Sequence, residues 1–277
     1  MSVIFGISEF TTHPWRFERD VETYARLGVD AIEVCEFKLD PSRVKEQMSL
    51  PAAHGLQITS VQPMTRTLFP SRSQPEPTAV GARMARFRRT IEMLAPFTPG
   101  VPFVTNTGTA PGGNIQAALE TAINEYGALA DFAASHGVCI ALEPLNAAIM
   151  NIESAIWTLP QAMQVVEAVG RDNFGICLDC WNVWQNAGLY DAIRACGDRI
   201  FVVQVSDWRT PRSFEDRLIP GQGEIPLGLF LQAVRETGYA GAYSVEIFSK
   251  GVPNALWEGD LEQVIRDSKA GFEKAMH

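Results

Sequence analysis

Long apolar runs, basic clusters and paired cysteines are all missing from this chain, and each absence removes a class of function. No apolar stretch reaches the ~20 residues that a membrane-spanning helix needs, so no membrane partner is expected. The opening residues, MSVIFGISEF, lack the basic n-region of a secretory leader and go straight into strand-like sequence; a cytoplasmic protein is expected. Lysine and arginine number 23 against 32 acids, for a formal net charge of −9. No basic cluster is dense enough to track phosphates, so nucleic acid is not expected as a partner. The five cysteines are odd in number and scattered, as in a reducing compartment. Cys177 and Cys180 form a C-x-x-C with no second pair at zinc-ribbon spacing, and they read as packing thiols.

What is present is an alternation. Short β-rich runs occur at 3–8, 31–36, 57–63, 101–106, 138–144, 174–179, 200–207 and 242–248. Between them lie amphipathic helical stretches such as RFERDVETYARLG and NIQAALETAINEYGALADFAASHG, often ending in glycine as helix C-termini do. Strand–helix alternation predicts parallel strands joined by crossovers. Eight such units in 277 residues predict a single-domain (β/α)8 TIM barrel over residues 1–277. A doubly wound open sheet is the alternative, but GISEFTTHPW is no Gly-rich phosphate turn. Two connections after strands are long, 63–78 and 208–226. Both belong to the C-terminal face of such a barrel, where long loops serve as lids or binding loops.

Polar residues sit where strands should be apolar. Glu143 ends IALE, Asp179 ends ICLD, Gln204 comes late in FVVQVSD and Glu246 late in YSVEIF. Side chains of a barrel strand alternate between lumen and helix layer. Cys139, Ala141 and Glu143 share one face, against Ile140 and Leu142 on the other. Cys177 with Asp179, Val202 with Gln204 and Ser206, and Ser244 with Glu246 form the corresponding sets. The smaller, more polar set suits the lumen. Three acids and an amide then converge from adjacent strands at the end where barrel enzymes keep their chemistry. Packed carboxylates repel and cannot all stay ionised unless a cation sits among them. An all-oxygen donor set points to one divalent ion, Mn²⁺ or Mg²⁺ rather than Zn²⁺.

ALEPLN, GICLDCWNVW, VVQVSD, RLIPGQGEIPL and GYAGAYSVEIF together resemble the xylose-isomerase-like TIM-barrel superfamily. That group includes sugar isomerases and epimerases, dehydroshikimate dehydratase and the nuclease endonuclease IV. The resemblance implies Glu143, Asp179, Gln204 and Glu246 as metal ligands. It also implies Glu143 and Glu246 as the catalytic pair that moves a proton on a small keto-sugar or polyol-derived ketone through an enediolate. The sequence departs from the pattern twice. Gln204 stands where the strand-seven ligand is usually His, and Asn182 replaces a substrate-contacting His in LDCWN. Gln at that position resembles the dehydratase branch, which keeps the alternative of a lyase open. A nuclease of the endonuclease IV kind uses many histidines, and this chain has four. A non-catalytic sugar-binding barrel is a further alternative.

Arg217, before the P-G-x-G turn, resembles a family arginine that contacts substrate. Asn182 and Trp181, next to the strand-six acid, are expected to line the pocket, and a strand-two glutamate, Glu33 or Glu36, to approach it. Arg66 and Arg212 are further loop cations with weaker claims. His54 reads as structural and His136 as a helix cap; His13 follows strand one on the catalytic side. Apolar residues in AVGARMARFRRTIEMLAPF and VIRDSKAGFEKAMH look exposed, and by analogy with the superfamily a homo-oligomer is expected.

Overall fold

The computed structural model describes residues 3–210 and 215–277. Eight strands lie where the alternation places them: β1 Ile4–Ser8, β2 Ala31–Cys35, β3 Gln57–Gln62, β4 Pro102–Thr105, β5 Cys139–Leu142, β6 Phe174–Asp179, β7 Ile200–Val205 and β8 Ala242–Val245. They pair in parallel in sequence order, and β8 closes on β1 to make a barrel. A helix follows nearly every strand, the longest being Ile115–Ser135. Arg212 lies outside the described residues.

Strand parity turns into two separate apolar layers. Ile140, Leu142, Ile176, Leu178, Val203, Val205 and Val245 belong to the large core between sheet and helices. Val104, Ala141, Cys177 and Val202 form a small cluster of their own inside the lumen. The small side chains of that cluster fill a space only a few side chains wide, as an eight-stranded barrel requires. Gly175 has no side chain for the same reason. A Cβ there would lie 2.7 Å from the Phe201 ring, at the point where a register shift gives β7 one extra residue.

The apolar residues of the two helices that looked exposed in the sequence are core residues of this chain. Met84, Phe87, Ile91, Leu94, Ile265 and Phe272 are buried. Their helical spacing faces the barrel, so they offer no surface for a second copy.

The long connection after β3 is held from below by Arg83, a fully buried residue of helix Val80–Leu94. Its Nε donates to the Thr67 carbonyl at 2.7 Å and its Nη1 to the Pro77 carbonyl at 2.8 Å. Further bonds reach the Gln74 carbonyl and the Thr67 hydroxyl. Carbonyls of an irregular loop need donors when buried, and one guanidinium supplies several in a rigid fork. The connection after β7 is organised by Asp207. Its carboxylate accepts from the backbone N–H of Trp208, Gly221, Gly223 and Ile225 at 2.8–3.0 Å. Gly223 is required there, because a Cβ would lie 2.3 Å from the Asp207 carboxylate.

Candidate active site

The C-terminal ends of β5, β6, β7 and β8 carry Glu143, Asp179, Gln204 and Glu246 into the same space, as parity demands. One oxygen each from Glu143, Asp179 and Glu246 lies within 4.8 Å of the others, and all three residues are buried. In-register pairing sets Asp179 beside Gln204 and Gln204 beside Ser244, two residues short of Glu246. The acids open into a cleft of about 620 Å³, solvent at its mouth included, lined among others by Phe10, Gln62, Arg66, Trp181, Arg217 and Phe248.

One cation serves three acids. Arg217 Nη1 lies 2.8 Å from Asp179 Oδ2 and 2.8 Å from Glu246 Oε2. Its guanidinium is covered by the rings of Trp181 and Phe248, each centred 4.8 Å away. Burial pushes the Glu143 carboxyl up to about 8, with the negative charge of Asp179 acting the same way and Arg217 and Arg66 acting against it. Burial also raises Glu246 well above the usual carboxylate range, and Asp179 above its ordinary value, with Arg217 opposing both shifts. The site is therefore short of positive charge.

Asn182 lines the cleft, yet its hydrogen bonds are taken up by protein. Its Nδ2 donates to Glu143 Oε1 and Asp179 Oδ2, both at 2.8 Å, and its Oδ1 accepts from Asn146 N at 2.9 Å. The expected substrate contact is thus a tie between two acids. Trp181 lines the cleft with its indole N–H buried and unpartnered. Glu33 does not reach the cleft wall. It lies beneath Gln204, where it also accepts from Ser60 Oγ at 2.6 Å.

Gln204 is fully buried in the lumen, but its amide is turned differently from the sequence reading. A metal ligand would present the carbonyl to the acids. Instead Nε2 donates to Glu33 Oε1 at 3.0 Å and to Glu246 Oε1 at 2.9 Å, and Oε1 faces the Cys177 thiol at 3.2 Å. The reason is elementary: two neighbouring carboxylates need a donor between them, and the amide nitrogen is the nearest one.

Other candidates lie elsewhere. Glu36 accepts from Met64 N and Thr90 Oγ1, fixing the start of the loop after β3. His13 stacks on Trp257, with ring centroids 4.6 Å apart, outside the cleft lining. His54 and His136 end helices. Arg66 does line the cleft, with its guanidinium 5.3 Å from the Phe10 ring centre. Phe10, Phe248 and several polar contributors went unnoticed in the sequence. Gln62 and Asn106, at the ends of β3 and β4, line the cleft, and Glu153 joins its mouth by accepting from Ser73 Oγ at 2.6 Å. Gln62 had a local signal, since a polar side chain two residues after Ser60 shares the lumen parity already used for the acids.

The chain is similar to several known proteins. An inosose isomerase of Halalkalibacterium halodurans is 29% identical over 239 residues, covering 83% of this chain and 82% of that protein. A D-psicose 3-epimerase of Enterocloster bolteae is 29% identical over 131 residues, 43% of this chain and 41% of its own length. A 3-dehydroshikimate dehydratase of Pseudomonas putida is 26% identical over 83% of this chain, which spans 36% of that longer protein. Among solved structures, the IolI protein with a bound zinc atom superposes with a TM-score of 0.81 over 99% of this chain and 98% of that one at 21% identity, a likeness of fold. The model of the xylose isomerase-like TIM barrel family matches residues 21–272, and the chain belongs to that family.

Proposed function

We propose that this protein is an isomerase or epimerase of a small keto-sugar or polyol-derived ketone, working by proton transfer between carboxylates and the carbons beside the carbonyl. The observation that carries the reading is the convergence of buried Glu143, Asp179 and Glu246 at the floor of a cleft, with a single guanidinium among them. The isomerase and epimerase relatives support it.

The donor set fits a divalent ion. Three buried oxygen donors share one positive charge, and hard carboxylate oxygens suit Mn²⁺ or Mg²⁺. Glu143, Asp179 and Glu246 would hold it, with Gln204 keeping Glu246 in place through its amide nitrogen. When bound, such an ion would polarise a ketone and steady the charge of an enediolate.

The chain's own residues account for the rest. Glu143 and Glu246 come from β5 and β8, on different sides of the cleft floor, so one can take the proton and the other return it. Return to the neighbouring carbon is isomerisation; return on the opposite face is epimerisation. Asn182 fixes Glu143 by a charge-assisted hydrogen bond, and Arg217 fixes Glu246. Arg217 and Arg66 are the cations of the cleft lining available to a substrate oxygen. Phe10, Phe248 and Trp181 wall the cleft and keep water from the reacting carbons.

Loss of water from the same enediolate is the second reading. It is favoured by the amide at position 204, which resembles the dehydratase branch, and by the Pseudomonas relative. One experiment addresses both. Mn²⁺-loaded protein is incubated in D₂O with inosose, D-psicose and 3-dehydroshikimate, and products are followed by NMR. The expected outcome is deuterium exchange beside the carbonyl with conversion of a ketose or inosose to its isomer. Faster elimination from 3-dehydroshikimate would transfer the assignment to the lyase, and no exchange with any of the three would end it.

A further inference from the structure

The carboxylates occupy one half of the lumen, and the other half of the cleft has unmet hydrogen-bonding capacity. Gln62 ends β3 with 2% of its surface exposed, lines the cleft, and has a buried Oε1 with no partner. A buried acceptor left without a donor destabilises the fold, so such an atom in a binding cleft marks a place where a ligand supplies the donor. Asn106, just past β4, spends its Oδ1 on Gly108 N at 3.2 Å and gives its amide hydrogens to no protein group among the described residues. The backbone of Arg66 is tied to Gln74, Thr105 and Asn106, but its guanidinium, set over Phe10, makes no hydrogen bond or ion pair among the described residues. All three side chains line the same cleft as Glu143 and Glu246.

We propose that Gln62, Arg66 and Asn106 form a hydroxyl-reading subsite that selects neutral polyhydroxylated substrates by the carbons beyond the reacting pair. The proposal deepens the isomerase reading and rests on it for the placement of the reacting carbons at Glu143 and Glu246. An acceptor beside donors matches hydroxyl groups, which both give and receive. A carboxylate or phosphate could use Arg66 and Asn106 but has no proton for Gln62 Oε1. The charge balance points the same way. Glu143 and Glu246 line the cleft against Arg66 and Arg217, with Asp179 and Glu33 adjoining and Glu153 already paired with Arg72 at 3.4 Å, so the acids outnumber the cations and no surplus of positive charge faces an anion. Phe10, Phe248 and Trp181 complete the fit, since the C–H faces of a polyol pack on aromatic rings.

The test is equilibrium binding, which does not depend on turnover. Mg²⁺-loaded protein is titrated with myo-inositol and sorbitol, with hydroxyacetone as a ligand that lacks the far hydroxyls, and with glycolate as the anionic probe, using ligand-observed NMR. The variants are Gln62→Leu, Arg66→Met and Asn106→Ala, with circular dichroism and Mg²⁺ affinity checked in each. The wild type is expected to bind at least one polyol more tightly than glycolate. Each variant is expected to lose about tenfold in polyol affinity while keeping its affinity for hydroxyacetone, the effect of one hydrogen bond inside a pocket. Absence of polyol binding, equal polyol affinity in the variants, or tighter glycolate binding that Arg66→Met removes would each overturn the subsite. If the polyol pattern holds while no ketose exchanges in D₂O, the isomerase reading fails and the subsite stands. If ketoses exchange and the pattern fails, this inference falls alone.

Discussion

Two groups of buried acids in this barrel face the same electrostatic problem and meet it differently. Beyond β1, Glu9 and Asp20 are fully buried with the ammonium of Lys38, which lies 2.6 Å from Asp20 Oδ2 and 3.9 Å from Glu9 Oε1. Glu9 also accepts from Cys35 N at 2.8 Å. Two acids against one ammonium leave one excess negative charge, which a proton held between Glu9 and Asp20 removes. Burial, followed by the charge of Asp20, accordingly drives the Glu9 carboxyl well above its ordinary range. At the floor of the cleft Glu143, Asp179, Glu246 and the adjoining Glu33 face Arg217 and Arg66, an excess of two. That excess matches a divalent cation and is open to the cleft. The difference teaches that acid content alone does not mark a site. What marks it is an imbalance that the protein leaves for something outside itself to correct.

Substitutions sharpen the contrast. The largest expected effect is on catalysis: Glu246→Gln or Glu143→Gln should lower kcat about 10⁴-fold, the upper range for a positioned proton-transfer group. Glu9→Gln should leave kcat within a few-fold. Steady-state kinetics on whichever ketose is turned over checks both, and equal losses in the two clusters would break the comparison.

Next come the cations. Arg217→Met and Lys38→Met each strand buried carboxylates and should cost about 3–5 kcal/mol of stability. Saturating Mn²⁺ should restore much of the loss in Arg217→Met and none in Lys38→Met, because only the first set of acids can take an ion in place of the lost cation. Thermal denaturation with and without Mn²⁺ measures this. Recovery of both variants, or of neither, would contradict the division drawn between the clusters.

A smaller effect concerns pH. A carboxyl whose pKa is raised by folding binds a proton more tightly in the native state. Its contribution to stability is complete below the unfolded value, near 4.5, and is lost as pH rises toward the folded value. Wild-type stability should therefore decline as pH rises above about 4.5, with Glu9 as one source of the slope. Glu9→Gln should flatten that decline by about 1 kcal/mol. Denaturant titrations at several pH values would show it, and an unchanged slope would remove Glu9 from the account.

The barrel and the triad were legible because both depend on local patterns. Alternation with period two assigned Ala141, Cys177 and Val202 to the lumen, and the separate lumen cluster bears that out. The same parity carried Glu143, Asp179 and Glu246 inward. The helices were harder. Their apolar faces were visible, but whether Phe87 or Phe272 met the barrel or solvent depended on which face turned inward.

The sequence by itself determined the strand order, the inward set of each strand and the gathering of acids at one end, because these follow from short-range periodicity and chain direction. Tertiary structure alone decided which groups meet across the lumen. Gln204 donates to Glu33 from 171 positions away, and that contact turns the amide nitrogen to the acids. Asp207 grips a loop up to 18 positions on, and Lys38 closes over Asp20 from the next crossover. Such contacts depend on inter-strand register and loop closure, which no local pattern encodes. The orientation of a buried amide or carboxylate is set by whichever donors and charges that register brings within about 3 Å.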